Sequence, residues 1–201
     1  MHSTEDFGLA KMVLDNSGVV AFPTETVMGL GILFDDYKAY EYLNKIKNRP
    51  GDKPYTLMLG SVSDIYLYAY VSDDAKKIID AFMPGPITLL LKVKDTVPGY
   101  ITHNTGIIGV RVPAMRDLLR FIKYCEKPLL VPSANKSGEK PAMNSEEVKT
   151  IFNDEVGYIF KGSCSGGVPS TIVDLSGEEV KILREGPISF DDIMQVLLRG
   201  K

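Results

Sequence analysis

Apolar residues alternate along the chain between helical spacing and short unbroken runs, which predicts helices interleaved with strands. A first helix is predicted from Phe7 to Leu14, with Thr4 as its N-cap and Gly18 just beyond its end. Further helices are predicted to begin near Asp35, Ser72, Leu118, Asn144 and Ser189. Strands are predicted at residues 19–22, 55–59, 87–93, 107–112, 129–131, 158–160, 170–175 and 180–183, with an extended or turning segment at 27–33.

Strands alternate with helices early in the chain and cluster late. This order predicts an α/β protein whose open mixed sheet carries helices on its faces. The second helix is expected to stop at Pro50-Gly51, and residues 97–105 and 133–144 are expected to be loops. No repeat or linker interrupts the pattern, so we expect a single domain over residues 1–201.

The composition is that of an ordinary globular protein. The chain has 201 residues, of which 44% are hydrophobic and 24% charged, and this is enough for one sizeable core. The formal net charge is −3. Domains that bind nucleic acids in general are typically basic, so this charge weighs against RNA binding as the main function. A weak, local contact with tRNA is compatible with it.

Two cysteines, Cys125 and Cys164, are too few for a disulfide framework and lack metal-type spacing. We expect both to be reduced thiols. The N-terminus lacks the basic start and apolar stretch of a signal peptide, and no apolar run has membrane-spanning length. These features predict a cytoplasmic protein without a membrane partner.

Several catalytic signatures are missing. The sequence has no Walker A motif, no G-x-G-x-x-G after a strand, no H-E-x-x-H and no G-x-S-x-G. Of its two histidines, His2 lies near the terminus and His103 in a predicted loop. A serine triad, a histidine base and a protein metal site are therefore not expected.

Short polar clusters follow several of the apolar runs. They are Pro23-Thr24-Glu25-Thr26, Lys47-Asn48-Arg49-Pro50, Gly109-Val110-Arg111-Val112-Pro113, Pro132-Ser133-Ala134-Asn135, Ser170-Thr171-Ile172-Val173-Asp174 and Leu183-Arg184-Glu185-Gly186. Open α/β sheets hold ligands at strand ends, so cations, hydroxyls and an amide at these places predict one site for an anionic small molecule.

The chemistry of each cluster leaves two interpretations open. Lys47 and Arg49 either complement the dipole of a helix end or clamp a polyphosphate. Arg111 lies inside an apolar strand, where a buried cation needs a partner, and that partner is either a protein carboxylate or the carboxylate of a substrate. The hydroxyls and amide of Thr24, Ser133 and Asn135 serve either a ligand or ordinary turns.

Together these clusters resemble the threonylcarbamoyl-adenylate synthases, the YrdC-like family. The resemblance extends from about Gly18 to Arg184 and includes Pro84-Gly85-Pro86-Ile87-Thr88 and Ser137-Gly138. It implies an open α/β sheet, twisted and curved around a large concave cavity. Because the chain ends shortly after Arg184, the short single-domain type is the expected comparison.

The resemblance implies that L-threonine, bicarbonate or CO2, and ATP give threonylcarbamoyl-AMP and pyrophosphate. A downstream transferase would then move the threonylcarbamoyl group to a tRNA adenosine beside the anticodon. Mg²⁺ would arrive with ATP, and no protein cage for it is expected. Such a reaction needs positioning and charge neutralisation more than a nucleophile, which agrees with the residues present.

The resemblance also implies roles for individual residues. Lys47 and Arg49 would be catalytic, and Thr24, Arg111 and Ser170 would bind threonine, with Arg111 on its carboxylate. The expected ATP-binding residues are Lys47, Arg49, Ser133, Asn135, Pro141 and Arg184.

Three positions depart from the family pattern. Met28 stands where an aromatic residue is frequent, Tyr55 where leucine is usual, and Ile107 where threonine is common. Ile107 is therefore given no nucleotide contact.

Two alternative functions belong to other classes. One is a non-catalytic RNA-binding module, which would show salt-sensitive binding without dependence on threonine. The other is a related carbamoyl transferase that uses carbamoyl phosphate.

Overall fold

The computed structural model describes residues 2–49 and 54–198, and a mixed β-sheet runs through this part of the chain. Its nine strands in the described residues are β1 (Val20–Phe22), β2 (Gly29–Leu33), β3 (Thr56–Met58), β4 (Ile87–Lys92), β5 (Ile107–Arg111), β6 (Leu129–Val131), β7 (Tyr158–Ile159), β8 (Thr171–Asp174) and β9 (Lys181–Arg184). Eight of the nine correspond to segments predicted as strands, with β9 extending one residue further to Arg184, and β2 forms in the segment predicted as extended or turning.

Seven α-helices flank the sheet within the described residues. They are α1 (Thr4–Asp15), α2 (Tyr37–Lys47), α3 (Ile65–Tyr68), α4 (Asp73–Phe82), α5 (Arg116–Cys125), α6 (Ser145–Phe152) and α7 (Phe190–Leu198). The caps predicted at Ser72 and Asn144 are confirmed, since each side chain accepts a hydrogen bond from a backbone N–H of the first turn.

Three local predictions need comment. Thr4 is not the N-cap of α1, because Ser3 takes that place in a capping box with Asp6. The single-turn helix α3 was not predicted, and the expected loop at 97–105 contains a 3₁₀ turn, Gly99–Thr102. The predicted stop at Pro50-Gly51 lies outside the described residues.

The strand order is β7-β1-β2-β6-β3-β5-β4-β8-β9. The pairs β1–β7, β3–β5 and β4–β8 are parallel, and the other neighbouring pairs are antiparallel. The predicted α/β class with a mixed sheet and helices is therefore confirmed. That one domain takes in all of residues 1–201 stays a prediction.

The two faces of the sheet are covered differently. On one face Leu57, Leu89 and Val110 pack into a large core with residues of α2, α4, α6 and α7. On the other face α1 and α5 cover the region of Phe22 and Leu129 in a smaller core. The rest of that second face is left open as a cavity.

No helix in the described residues is long and apolar enough to cross a bilayer. Neither Cys125 nor Cys164 forms a disulfide within this part of the chain, and burial raises the pKa of both thiols.

Candidate functional site

The cavity lies over a face of the sheet and has a volume of about 240 Å³. Side chains alternate along a strand, so residues opposite one another in register point to the same face. Thr88 of β4 pairs with Ile172 of β8, which in turn pairs with Arg184 of β9. Arg111 of β5 lies opposite Met58 of β3. The sequence predicted a site at the strand ends. In the structure the site also includes residues on the face of the sheet.

Six of the nine residues proposed for the site line this cavity. They are Thr24, Arg49, Arg111, Ser133, Ser170 and Arg184. Ser170 and Arg184 are 14 positions apart, the other four come from widely separated parts of the sequence, and the mixed strand order brings them all together. Lys47, Asn135 and Pro141 are not among the lining residues.

Arg111 is 6% exposed and has a protein carboxylate as its partner. Its Nη2 lies 2.8 Å from Glu25 Oε1 and donates to Thr26 Oγ1 at 3.1 Å. Glu25 Oε1 also accepts a hydrogen bond from the Ala114 N–H at 3.0 Å. The internal ion pair, one of the two interpretations open from the sequence, is therefore present.

The ion pair does not use the whole guanidinium group. Within the described residues, Arg111 Nη1 and Nε have no hydrogen-bond partner, and Nε is buried, as is the unpartnered Glu25 Oε2. A buried donor without a partner is costly. Because Arg111 lines the cavity, its unused donors leave capacity for an anionic ligand group.

A second group of contacts joins β4, β8 and β9. Ser170 Oγ and Thr88 Oγ1 share a hydrogen bond of 2.9 Å in a buried position. Arg184 Nε donates to the Ser170 carbonyl at 2.9 Å. Burial lowers the pKa of Arg184, with a smaller contribution from the nearby Arg111. Two arginines that repel each other across a cavity favour an anion between them.

Thr24 begins a buried turn after β1. Its Oγ1 donates to the Val27 carbonyl at 2.7 Å and lies 2.8 Å from Thr26 Oγ1. The Thr24 hydroxyl therefore supports the turn and, through Thr26, reaches Arg111. The turn interpretation of this cluster is confirmed, and a ligand contact stays a prediction for Thr24, which lines the cavity with Thr26.

Arg49 lines the cavity from the segment just after α2. Its Nη2 donates to the Pro54 carbonyl at 3.0 Å, and its Cζ lies 4.6 Å from the centre of the Tyr55 ring. Both Pro54 and Tyr55 also line the cavity.

Lys47 is 1% exposed and faces the backbone of the loop after β6. Its Nζ donates to the carbonyls of Ser133 and Asn135, each at 2.6 Å. Burial lowers the pKa of Lys47 to about 7, with smaller contributions from Arg49 and Lys136. The structure therefore gives Lys47 a loop-shaping contact, and a contact with phosphate stays a prediction.

Asn135 completes the same loop. Its Oδ1 accepts from Ser133 Oγ at 2.6 Å, and its Nδ2 donates to the carbonyls of Lys136 and Glu139. The Asn135 amide is thus engaged within the loop. Pro141 precedes Ala142, whose N–H donates to the Ala134 carbonyl, so Pro141 lies beside this loop.

The cavity carries positive charge. In the described part of the chain its charged lining residues are Arg49, Arg111 and Arg184, and none of its lining residues is Asp or Glu. The described residues also contain no group of three His, Cys, Asp or Glu side chains that could hold a metal. Guanidinium and hydroxyl donors of this kind bind phosphates and carboxylates.

Several residues that the structure places here had no predicted site role, namely Glu25, Tyr55, Thr56 and Thr88. Thr88 had a usable signal, because a hydroxyl inside a strongly apolar strand needs a partner. Glu25 had none, since its partner Arg111 is 86 positions away (111 minus 25). Met28 lines the cavity, and Ile107 does not.

The chain is similar to known proteins over most of its length. A family model described as telomere recombination, covering Sua5, YciO and YrdC, matches residues 12–186. Threonylcarbamoyl-AMP synthase of Pyrococcus abyssi is 34% identical over 181 residues, which are 89% of this chain and 53% of that protein. A putative threonylcarbamoyl-AMP synthase of Methanocaldococcus jannaschii is also 34% identical, over 90% of this chain and 84% of that one.

Among solved structures, the crystal structure of P. abyssi Sua5 complexed with L-threonine superposes with a TM-score of 0.93 and 31% identity. The match covers 98% of this chain and 58% of that one. This chain therefore spans little more than half of the P. abyssi protein, while it spans most of the M. jannaschii protein.

Proposed function

Because the chain belongs to the Sua5, YciO and YrdC family, we propose that it is a threonylcarbamoyl-AMP synthase, an enzyme that joins L-threonine, bicarbonate or CO2, and ATP. The observation that carries this proposal is the meeting of Arg49, Arg111 and Arg184 with several hydroxyl groups around one cavity. Two relatives bear this name, and the Sua5 structure holds L-threonine.

The reaction has two bond-forming steps. The threonine amine attacks CO2, loses a proton and becomes a carbamate. A carbamate oxygen then attacks the α-phosphorus of ATP, the bond from that phosphorus to the bridging oxygen breaks, and pyrophosphate leaves. Both reactants are anions that repel each other, so catalysis depends on holding them in line and neutralising their charge.

The proposed threonine side of the cavity is formed by Thr24, Arg111 and Ser170. The unused donors of Arg111 suit a carboxylate, and the Glu25 ion pair fixes the plane of the guanidinium group. The Ser170 hydroxyl is held by Thr88 and offers a neutral polar contact.

The proposed ATP side is formed by Arg49, Ser133 and Arg184, which line the cavity. Lys47 and Asn135 lie behind Ser133 and fix the shape of its loop, with Pro141 beside it. Arg49 is the proposed catalytic cation facing the phosphates. Lys47 is proposed to support Arg49 by shaping the part of the cavity wall that holds the phosphates.

Mg²⁺ is proposed to enter as part of the MgATP substrate. The cavity supplies guanidinium and hydroxyl donors but no carboxylate lining residue in the described part of the chain, so it fits the phosphates better than a bare divalent cation. A downstream transferase would pass the threonylcarbamoyl group to tRNA, and cytoplasmic localisation fits that role.

The test is to incubate purified protein with MgATP, L-threonine and bicarbonate and to measure pyrophosphate and the adenylate product by mass spectrometry. We expect pyrophosphate release that requires threonine and a product whose mass includes threonine, carbonyl and AMP. Folded protein that releases no threonine-dependent pyrophosphate would contradict the proposal. Replacing threonine and bicarbonate with carbamoyl phosphate tests the alternative transferase, and salt-sensitive RNA binding without turnover would favour the RNA-binding module.

A further inference from the structure

Tyr55 stands at a position where the family pattern has leucine. Its ring is 2% exposed, although it belongs to the wall of the cavity. The hydroxyl donates to Asn44 Oδ1 at 2.6 Å, and the ring makes an edge contact with Tyr40 at 5.5 Å. Both partners belong to α2, so this helix holds Tyr55 from behind.

The other side of the ring is occupied by a cation. Arg49 Cζ lies 4.6 Å from the ring centre, within the range of a cation–π interaction. The neighbouring Pro54 carbonyl accepts from Arg49 Nη2 at 3.0 Å. Tyr55 therefore contacts the face of the Arg49 guanidinium group, and the Pro54 carbonyl accepts a hydrogen bond from its edge.

We propose that Tyr55 is a positioning residue that orients Arg49 toward the phosphates of the nucleotide. This inference rests on the proposed function. Arg49 covers the ring and leaves it only 2% exposed, so Tyr55 has no open face on which a nucleotide base could stack. Its effect must therefore pass through Arg49.

The hydroxyl of Tyr55 anchors the ring to α2 and is not proposed to contact the substrate. Burial raises the pKa of Tyr55, so the hydroxyl stays protonated and keeps donating to Asn44. A phenylalanine would keep the face that Arg49 contacts and lose only this anchor. A leucine would lose both the face and the anchor.

The experiment measures binding of ATP and of inorganic tripolyphosphate by calorimetry, without turnover. Loss of a partly buried cation–π contact is expected to weaken the binding of both ligands about threefold to tenfold in Tyr55→Leu. Tyr55→Phe is expected to recover most of that loss. In an Arg49→Ala background, Tyr55→Leu is expected to cause no further loss.

Tyr100→Leu is the matched control. Tyr100 packs on Tyr40 in the same aromatic cluster but does not line the cavity, so its loss tests general loosening of the cluster. If Tyr55→Leu fails to fold, Tyr55→Met replaces it, since methionine fills irregular space.

Three results would overturn the inference. They are unchanged binding in a folded Tyr55→Leu or Tyr55→Met protein, a loss for ATP but not for tripolyphosphate, which would indicate base stacking, and an equal loss in Tyr100→Leu. Wild-type protein that binds neither ligand would overturn both this inference and the proposed function. Wild-type protein that binds ATP but makes no pyrophosphate would contradict only the function.

Discussion

Two groups of residues, one lining the cavity and one mostly behind its wall, use cationic and polar side chains in different ways. The arginine side, formed by Arg111, Ser170 and Arg184, lines the cavity, and Arg111 keeps donors without a partner in the described residues. The lysine loop, formed by Lys47, Ser133 and Asn135, uses its cation and amide on its own backbone and side chains.

The difference shows how a cation contributes to a site. A guanidinium group can be held by one edge while another edge faces a ligand, because its donors form a rigid fork. The ammonium of Lys47 is instead surrounded by carbonyl groups and shapes the wall. We therefore expect changes on the arginine side to affect binding first, and changes in the lysine loop to affect stability first.

The largest effect is expected for Arg111→Met. It removes the proposed contact with the threonine carboxylate, and truncating one member of a buried charge pair across an interface costs about 2–5 kcal/mol. It also leaves the partly buried Glu25 without its ion-pair partner. We expect threonine affinity, measured by calorimetry, to fall by a factor of about 100 or more.

Arg116→Met is the control for Arg111→Met, because Arg116 is exposed on α5. A folded Arg111→Met protein that binds threonine as well as wild type would remove Arg111 from the site.

Lys47→Met is expected to reduce the free energy of unfolding by about 2–3 kcal/mol, because the buried carbonyls of Ser133 and Asn135 lose their donor. Chemical denaturation measures this change. The exposed Lys45 on the same helix provides the control, Lys45→Met, whose stability should stay close to that of wild type. Equal stability of all three proteins would show that Lys47 does not shape the loop.

The pH dependence of stability separates Lys47 from the arginine side. Its folded pKa, about 7, is below the unfolded value of about 10.4, so the unfolded chain binds more protons between these values. The stability that Lys47 contributes to the folded state is therefore fully present above the unfolded pKa. It is lost as the pH falls through the folded pKa of about 7. Relative to Lys47→Met, we expect wild type to gain about 1–2 kcal/mol between pH 7 and pH 9. A constant difference across that interval would contradict the lowered pKa.

The smallest effect is expected for Thr88→Val, which keeps the shape of the side chain but removes the hydrogen bond to Ser170. A neutral hydrogen bond contributes about 0.5–1.5 kcal/mol, so the KM for threonine should rise about twofold to tenfold while the KM for ATP stays nearly constant. Thr150→Val is the control, because Thr150 is an exposed residue of α6. A matching rise in both KM values would assign Thr88 to general packing.

Much of the fold could be predicted from periodicity. Eight of the nine strands and six of the seven helices in the described residues follow from apolar patterns and from caps such as Ser72 and Asn144, while the segment of β2 was predicted only as extended or turning. The single-turn helix α3 was too short to give a periodic signal. The strand order could not be predicted, because pairs such as β4–β8 join segments more than 80 residues apart.

The site was predictable in its residue types but not in their roles. Arg111 and Lys47 both appeared as cations in motifs, and only the fold shows that one lines the cavity while the other is enclosed by carbonyls. The hydroxyl of Thr88 inside an apolar strand signalled the need for a partner, but neither Ser170 as that partner nor the pairing of Glu25 with Arg111 could be predicted, because both contacts join distant segments.

The most direct test of the proposed threonine and ATP sides of the cavity is a crystal structure of the protein with L-threonine and a non-hydrolysable ATP analogue. The account predicts the threonine carboxylate on Arg111 near Ser170, and the phosphates between Arg49 and Arg184, with Lys47 still on the carbonyls of Ser133 and Asn135. Ligands bound away from this cavity, or a carboxylate that does not contact Arg111, would contradict it.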